Sequence, residues 1–136
     1  MKNYEIPLVP GTYYHVFNHA NGRDNLFANR GNYQFFLQRY AFFMNSILDT
    51  YAYCLLPNHL HLLVRIKEEH ELKIAWRVKN KPYNSVIKEV NWPAFISRAF
   101  GNLYSSYSQA FNRQQNRMGS LFMPNFKRRE VDNEDY

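Results

Sequence analysis

The sequence carries a single cysteine, Cys54, in 136 residues. A lone cysteine cannot close an internal disulfide, so covalent cross-linking is excluded as a source of stability. Its place between Tyr53 and Leu55 suits a small buried hydrophobe. Long apolar runs are also missing. No stretch approaches the length of a membrane span, and the first residues lack the apolar centre of a signal peptide. The expected location is therefore a reducing cytoplasm, with no membrane partner. Acidic residues are outnumbered: 17 Lys and Arg stand against 11 Asp and Glu, a net charge of +6. Aromatic residues are abundant, with 11 Phe, 11 Tyr and 2 Trp. The length fits one domain, residues 1–136, with enough chain for a real core. A small, basic, Tyr-rich domain suits a polyanionic partner, and exposed aromatics beside basic groups suit unstacked bases. The same composition also describes a generic basic protein whose aromatics form its core.

One stretch organises the chain, running from Tyr51 to Ile66. Pro57-Asn58 suits a two-residue turn, because proline cannot donate to a sheet ladder. His59 to Ile66 is short and apolar and reads as a buried strand. Residues two apart on a strand face the same way, so His59 and His61 project together, with Leu60 and Leu62 opposite. Two imidazoles on one rigid ladder can share a cation. They can equally be two histidines that hydrogen-bond in a core.

The rest of the chain follows from periodicity. Residues 1–11 form an arm, kept irregular by Pro7 and Pro10-Gly11. Thr12 to Asn18 reads as a strand, with Tyr14, Val16 and Asn18 on one face and Tyr13, His15 and Phe17 on the other. A polar loop follows; His19 and Arg23 in it are either phosphate contacts or solvated surface. Asn32 can cap a helix beginning at Tyr33, whose apolar stripe includes Phe36, Tyr40, Met44 and Ile47. Leu48 to Leu56 and His59 to Ile66 make the central hairpin. Residues 67–91 are strongly charged and hold a short helix at about Glu68 to Val78. Their Lys73, Arg77, Lys79, Lys81 and Lys88 are either a backbone groove or a solvated face. Trp92-Pro93 opens the next helix. Ile96, Ala99, Phe100, Leu103, Tyr104, Tyr107 and Phe111 share its apolar face. Gly101 interrupts it, as a close approach to the sheet would require. Ser120 to Phe126 suits an irregular edge strand, and Lys127-Arg128-Arg129 is the densest basic cluster. Strand, helix, two strands, helix, strand is the order of an α+β, ferredoxin-like fold, a four-stranded antiparallel sheet with two helices on one face.

Ala52 to Arg65 resembles the His-hydrophobe-His strand of the single-tyrosine transposases, the enzymes of small insertion sequences and their relatives tied to repetitive extragenic palindromes. Three further pieces agree. Tyr14 to Phe27 is similar to the strand and loop that open the family's domain, with His19 where arginine is common. Ser105 to Asn112 resembles its Ser-Tyr-Thr-Arg-Tyr-Phe-Asn helix end. Asn116 to Arg128 resembles its Arg-Thr-Gly-Ser-Leu-Phe-Gln turn and fourth strand. The resemblance covers about residues 12–136 and implies the same ferredoxin-like fold. It implies a DNA transposase and His-hydrophobe-His endonuclease that binds single-stranded or hairpin DNA, usually as a homodimer. His59 and His61 would be metal ligands for Mg²⁺ or Mn²⁺, with His15 in reserve. Arg23, Arg65, Lys127, Arg128 and Arg129 would contact DNA.

The sequence departs from the family at its end. Relatives carry the nucleophile in a Tyr-Ile-His-x-Asn-Pro segment about two helical turns beyond an Asp-Tyr like Asp135-Tyr136, and an amide one turn later completes their metal site. Val131 to Tyr136 resembles only the start of that helix, with Asp132 as its cap. Either the sequence stops short of the family's nucleophile or Tyr136 has taken over the role of catalytic tyrosine; the first is the expectation, so the 136-residue chain should bind DNA without cutting it. Two other readings stand beside a transposase. One is a nucleic-acid-binding module without chemistry, in which Tyr13 and Tyr53 stack bases. The other is an interaction domain with incidental histidines.

Overall fold

A computed structural model describes residues 4–80 and 89–132. Their elements run β1 (Tyr13–His19), α1 (Arg30–Met44), β2 (Leu48–Leu56), β3 (His59–Ile66), α2 (Glu69–Lys79), α3 (Trp92–Gln114) and β4 (Lys127–Glu130). The strands form one antiparallel sheet in the order β2-β3-β1-β4. This is the ferredoxin-like arrangement, with α2 added between β3 and α3. Among the described residues, no helix is long and apolar enough to cross a membrane.

Strand alternation explains why the core lies on one side. Tyr14 and Val16 of β1 are buried, as are Leu60, Leu62, Val64 and Ile66 of β3. The apolar faces of α1 (Phe36, Tyr40, Met44) and α3 (Ile96, Phe100, Leu103, Tyr107) complete the same cluster. The opposite face of the sheet carries Tyr13, His15, Phe17 and His19 from β1, and His59, His61, Leu63 and Arg65 from β3. The N-terminal arm is fastened to the sheet. The Tyr14 hydroxyl accepts from the Val9 amide at 2.8 Å and donates to the Pro7 carbonyl at 3.1 Å. Leu8 is fully buried, and Glu5 bridges Arg128 alongside β4.

Several local expectations are corrected. Helix α1 begins at Arg30, not Tyr33, and its N-cap is Asn29 rather than Asn32. The two asparagines cap reciprocally: Asn29 Oδ1 accepts from the Asn32 amide at 3.0 Å, and Asn32 Oδ1 accepts from the Asn29 amide at 3.2 Å. An asparagine thereby does the work that Glu or Gln does in the usual capping box. Asn32 is buried and also donates to Gln114 Oε1 at 2.8 Å, which ties α1 to the end of α3. Gly101 is exposed, and a Cβ built there meets nothing within 4 Å, so close packing does not account for it. The fourth strand is Lys127–Glu130, not Ser120 to Phe126; the earlier segment contributes an isolated bridge between Phe122 and Ala20. Cys54 is exposed rather than buried, because it lies opposite His61 on the face that no helix covers.

These contacts give contrasting expectations for stability. Leu62→Ala should cost about 2–5 kcal/mol in urea denaturation, as deletion from a packed core does. Gly101→Ala should be neutral or stabilise by up to about 1 kcal/mol. A loss from Gly101→Ala comparable to that from Leu62→Ala would contradict the open space beside it.

Candidate nucleic-acid interface

The histidines owe their setting to the hairpin turn. Pro57-Asn58 joins β2 to β3, and its carbonyls hold the loop that follows β1. The Ala20 amide donates to the Asn58 carbonyl at 2.9 Å, and the Leu26 amide to the Pro57 carbonyl at 2.7 Å. On its other side the same loop meets the segment after α3. The Asn21 side chain donates to the Ser120 and Phe122 carbonyls, and Arg117 forms an ion pair with Asp24. Between turn and loop lies a cleft of about 260 Å³, lined by Phe17, Asn18, His19, Ala20, Gly22, Asn58, His59 and His61.

His59 and His61 stand side by side with ring centroids 5.1 Å apart, nearly perpendicular. His59 Nδ1 pairs with Asn58 Oδ1 at 2.7 Å, and an amide oxygen only accepts, so Nδ1 carries the proton. His59 itself lines the cleft. His61 Nδ1 pairs with His15 Nε2 at 2.8 Å. Burial lowers the pKa of both rings; the His61 charge and then Arg129 lower His15 further, and the His59 charge lowers His61 further. Both imidazoles are therefore neutral near pH 7. If His61 Nδ1–H is the donor to His15, its Nε2 lone pair is available for a cation, which is how ligating histidines are commonly oriented. In that tautomer His15 accepts at Nε2 and holds the His61 ring from its Nδ1 side. Among the described residues, no three His, Cys, Asp or Glu side chains converge as a metal site.

The basic residues divide by strand alternation. Lys127 lies opposite Phe17 and Arg129 opposite His15, so both join the histidine face. Arg128 lies opposite Val16 and turns the other way. Its guanidinium donates to the Ile6 carbonyl at 2.6 Å and the Phe126 carbonyl at 3.1 Å, and covers the Phe126 ring at 4.7 Å. It is a clasp between the arm and β4. Arg23 is exposed next to Gly22 at the cleft's border. His19 lines the cleft, with Nδ1 on the Ala20 carbonyl at 3.0 Å. Arg65 stands at the far end of the face, paired with Glu68 and, at 3.9 Å, with Asp49. Tyr13 and Tyr53 do not share a face: Tyr13 lies opposite Arg65, whereas Tyr53 lies opposite the buried Leu62. Tyr136, Lys81 and Lys88 lie outside the described residues.

Sequence reasoning did not foresee the contacts of Asn58 with His59 or of His15 with His61. Asn58 directly precedes His59, so its contact was open to inference. The His15–His61 pair depends on the register between β1 and β3, which no local signal carries.

The arrangement defines a ferredoxin-like domain with one open, basic and aromatic sheet face centred on a histidine pair. The chain superposes on a solved REP-associated tyrosine transposase bound to a REP hairpin, with a TM-score of 0.64 and 13% identity. The match covers 99% of this chain and 65% of that one. At that identity the likeness is one of fold. No protein-family model matches the sequence, and no curated protein does.

Arg128→Ala should cost about 1–3 kcal/mol of stability, since it leaves carbonyls of the arm unpaired. Lys127→Ala should stay within about 0.5 kcal/mol, as surface substitutions do. Denaturant midpoints of the two variants compare them directly, and equal midpoints would remove the clasp.

Proposed function

We propose that this protein binds single-stranded or hairpin DNA across the open face of its sheet, as a transposase-like domain of the kind that cuts and rejoins such DNA through a phosphotyrosine. The observation that carries this is the shared face: His59 and His61 from β3, which line the cleft, lie on the same side of the sheet as Lys127 and Arg129 from β4. The resemblance in sequence and the likeness in fold support the same reading.

In it, Lys127 and Arg129 take backbone phosphates, with Arg23 at the cleft's border. His59 and His61 are the residues that would hold Mg²⁺ or Mn²⁺, each through Nε2. When bound, such an ion supplies polarisation of phosphate oxygens. His15 keeps the His61 ring in the required tautomer. In the reaction a tyrosine oxygen attacks phosphorus in line and gives up its proton. The bond from phosphorus to O3′ breaks, and O3′ leaves as a hydroxyl. The phosphodiester is exchanged, so no external energy source is needed. Among the described residues no tyrosine lines the cleft. The assembly that accompanies this reading is a homodimer.

Calorimetry with Mn²⁺ tests the histidines. His59→Ala and His61→Ala should each abolish binding, and His15→Phe should weaken it about tenfold. Equal affinity in the wild type and the double variant would sink the metal assignment. Hairpin affinity should fall steeply with salt, and replacing Lys127 and Arg129 by Ala should reduce the log–log slope by about 1–2. A slope near zero in the wild type would remove the electrostatic basis. A second reading is binding without chemistry, in which the same basic and aromatic face holds DNA and nothing more. A labelled hairpin and Mn²⁺ separate the two on a denaturing gel. The 136-residue chain should give no covalent adduct, and appending a Tyr-Ile-His-x-Asn-Pro helix after Tyr136 should create one. Retained binding with no adduct from the extended chain would favour the second reading. An adduct of the original chain that is lost in Tyr136→Phe would instead make Tyr136 the nucleophile.

A further inference from the structure

Four residues along β3 from His61, the open face changes character. Tyr13 of β1 and Tyr51 of β2 meet there, with ring centroids 5.6 Å apart and planes inclined by 44°. The Arg65 guanidinium lies 5.9 Å from the Tyr13 ring. Tyr13 is 40% exposed and Tyr51 58%. Neither ring belongs to the core.

Tyr51 arrives on this face through an irregularity. Thr50 lies opposite Val64 and Ala52 opposite Leu63, so Tyr51 has no partner and forms a bulge. Thr50 points to the helices, where its hydroxyl meets the Tyr40 hydroxyl at 2.7 Å. Ala52 already faces outward with Leu63. The extra residue turns the Tyr51 ring across β3 toward Tyr13, and bulges often re-aim side chains in this way.

The electrostatics of the two ends differ. Lys127 and Arg129 make the β4 edge positive. At the tyrosine end, Asp49 and Glu68 offset the charge of Arg65. A phosphate gains little there, whereas the flat face of a base gains from aromatic contact. We infer that Tyr13 and Tyr51 form a stacking platform for unpaired bases of a DNA strand whose phosphates run past the histidine end of the same face. This rests on the DNA-binding reading above and names the part of the DNA that reaches the platform. Paired bases in a hairpin stem are already stacked, so the ligand is the single-stranded tail beside the stem. Four strand residues span about 13 Å. That is about four nucleotides at duplex-like rise, and fewer when the strand is stretched.

The test uses the full chain without divalent ion and three hairpins: one blunt, one with a four-nucleotide tail, and one with the same tail made abasic. Tails are placed at the 5′ and at the 3′ end, and binding is read by fluorescence anisotropy. For the wild type, the base-bearing tail on one end should tighten binding about five- to a hundredfold, and the abasic tail should not. Tyr51→Ala and Tyr51→Leu should lose most of that gain without changing affinity for the blunt hairpin, and Tyr51→Phe should keep it. Equal binding of base-bearing and abasic tails, or a full gain in Tyr51→Leu, would overturn the platform and leave the DNA reading standing. No binding of any hairpin by the wild type would overturn both.

Discussion

Leu60, Leu62, Val64 and Ile66 bury one side of β3, and this alternation holds the rest of the structure in place. The strand is paired on both sides, with β1 and with β2. A slip of one residue would send four core side chains into water and bring the histidines against the helices. The histidine pair is therefore positioned by the apolar residues between and beyond its members. The tight turn at Pro57-Asn58 adds a second constraint, since its two carbonyls fix the loop that closes the cleft.

That register sorts the open face into three zones. The β4 edge contributes Lys127 and Arg129, where a polyanion's backbone would be drawn. The centre holds neutral, hydrogen-bonded imidazoles, whose lowered basicity follows from burial and from their neighbours' charge. The far end holds two exposed tyrosines beside an arginine whose charge is already matched. Arg128 sits between Lys127 and Arg129 in sequence yet serves the fold, holding the N-terminal arm to the sheet edge. A basic run on a strand is two groups with two surroundings, because its side chains alternate.

Much of this was legible from short-range pattern. The period of two placed His59 and His61 opposite Leu60 and Leu62, and the helical period marked the buried face of α3, from Ile96 to Phe111. The errors have physical causes of another kind. Cys54 is flanked by large side chains but lies on the sheet face that the helices leave open. The α1 cap moved to Asn29 because Asn32 is held from both directions, by the cap and by Gln114, 82 residues further on. Tyr53 lies on the other face from Tyr13, and Tyr51 meets Tyr13 instead, because a bulge shifts the alternation of β2 partway along the strand.

The sequence by itself determined the order of elements, the hairpin, the faces of β1 and β3 and the closeness of His59 to His61. Each of these rests on neighbours within a few residues, where backbone geometry leaves little choice. Only the tertiary structure decided which distant groups meet: His15 with His61, Tyr13 with Tyr51, Arg128 with the arm and Asp24 with Arg117. Those pairings depend on inter-strand register, on one unpaired residue in β2 and on loops pinned by backbone hydrogen bonds. None of them leaves a periodic trace in the chain.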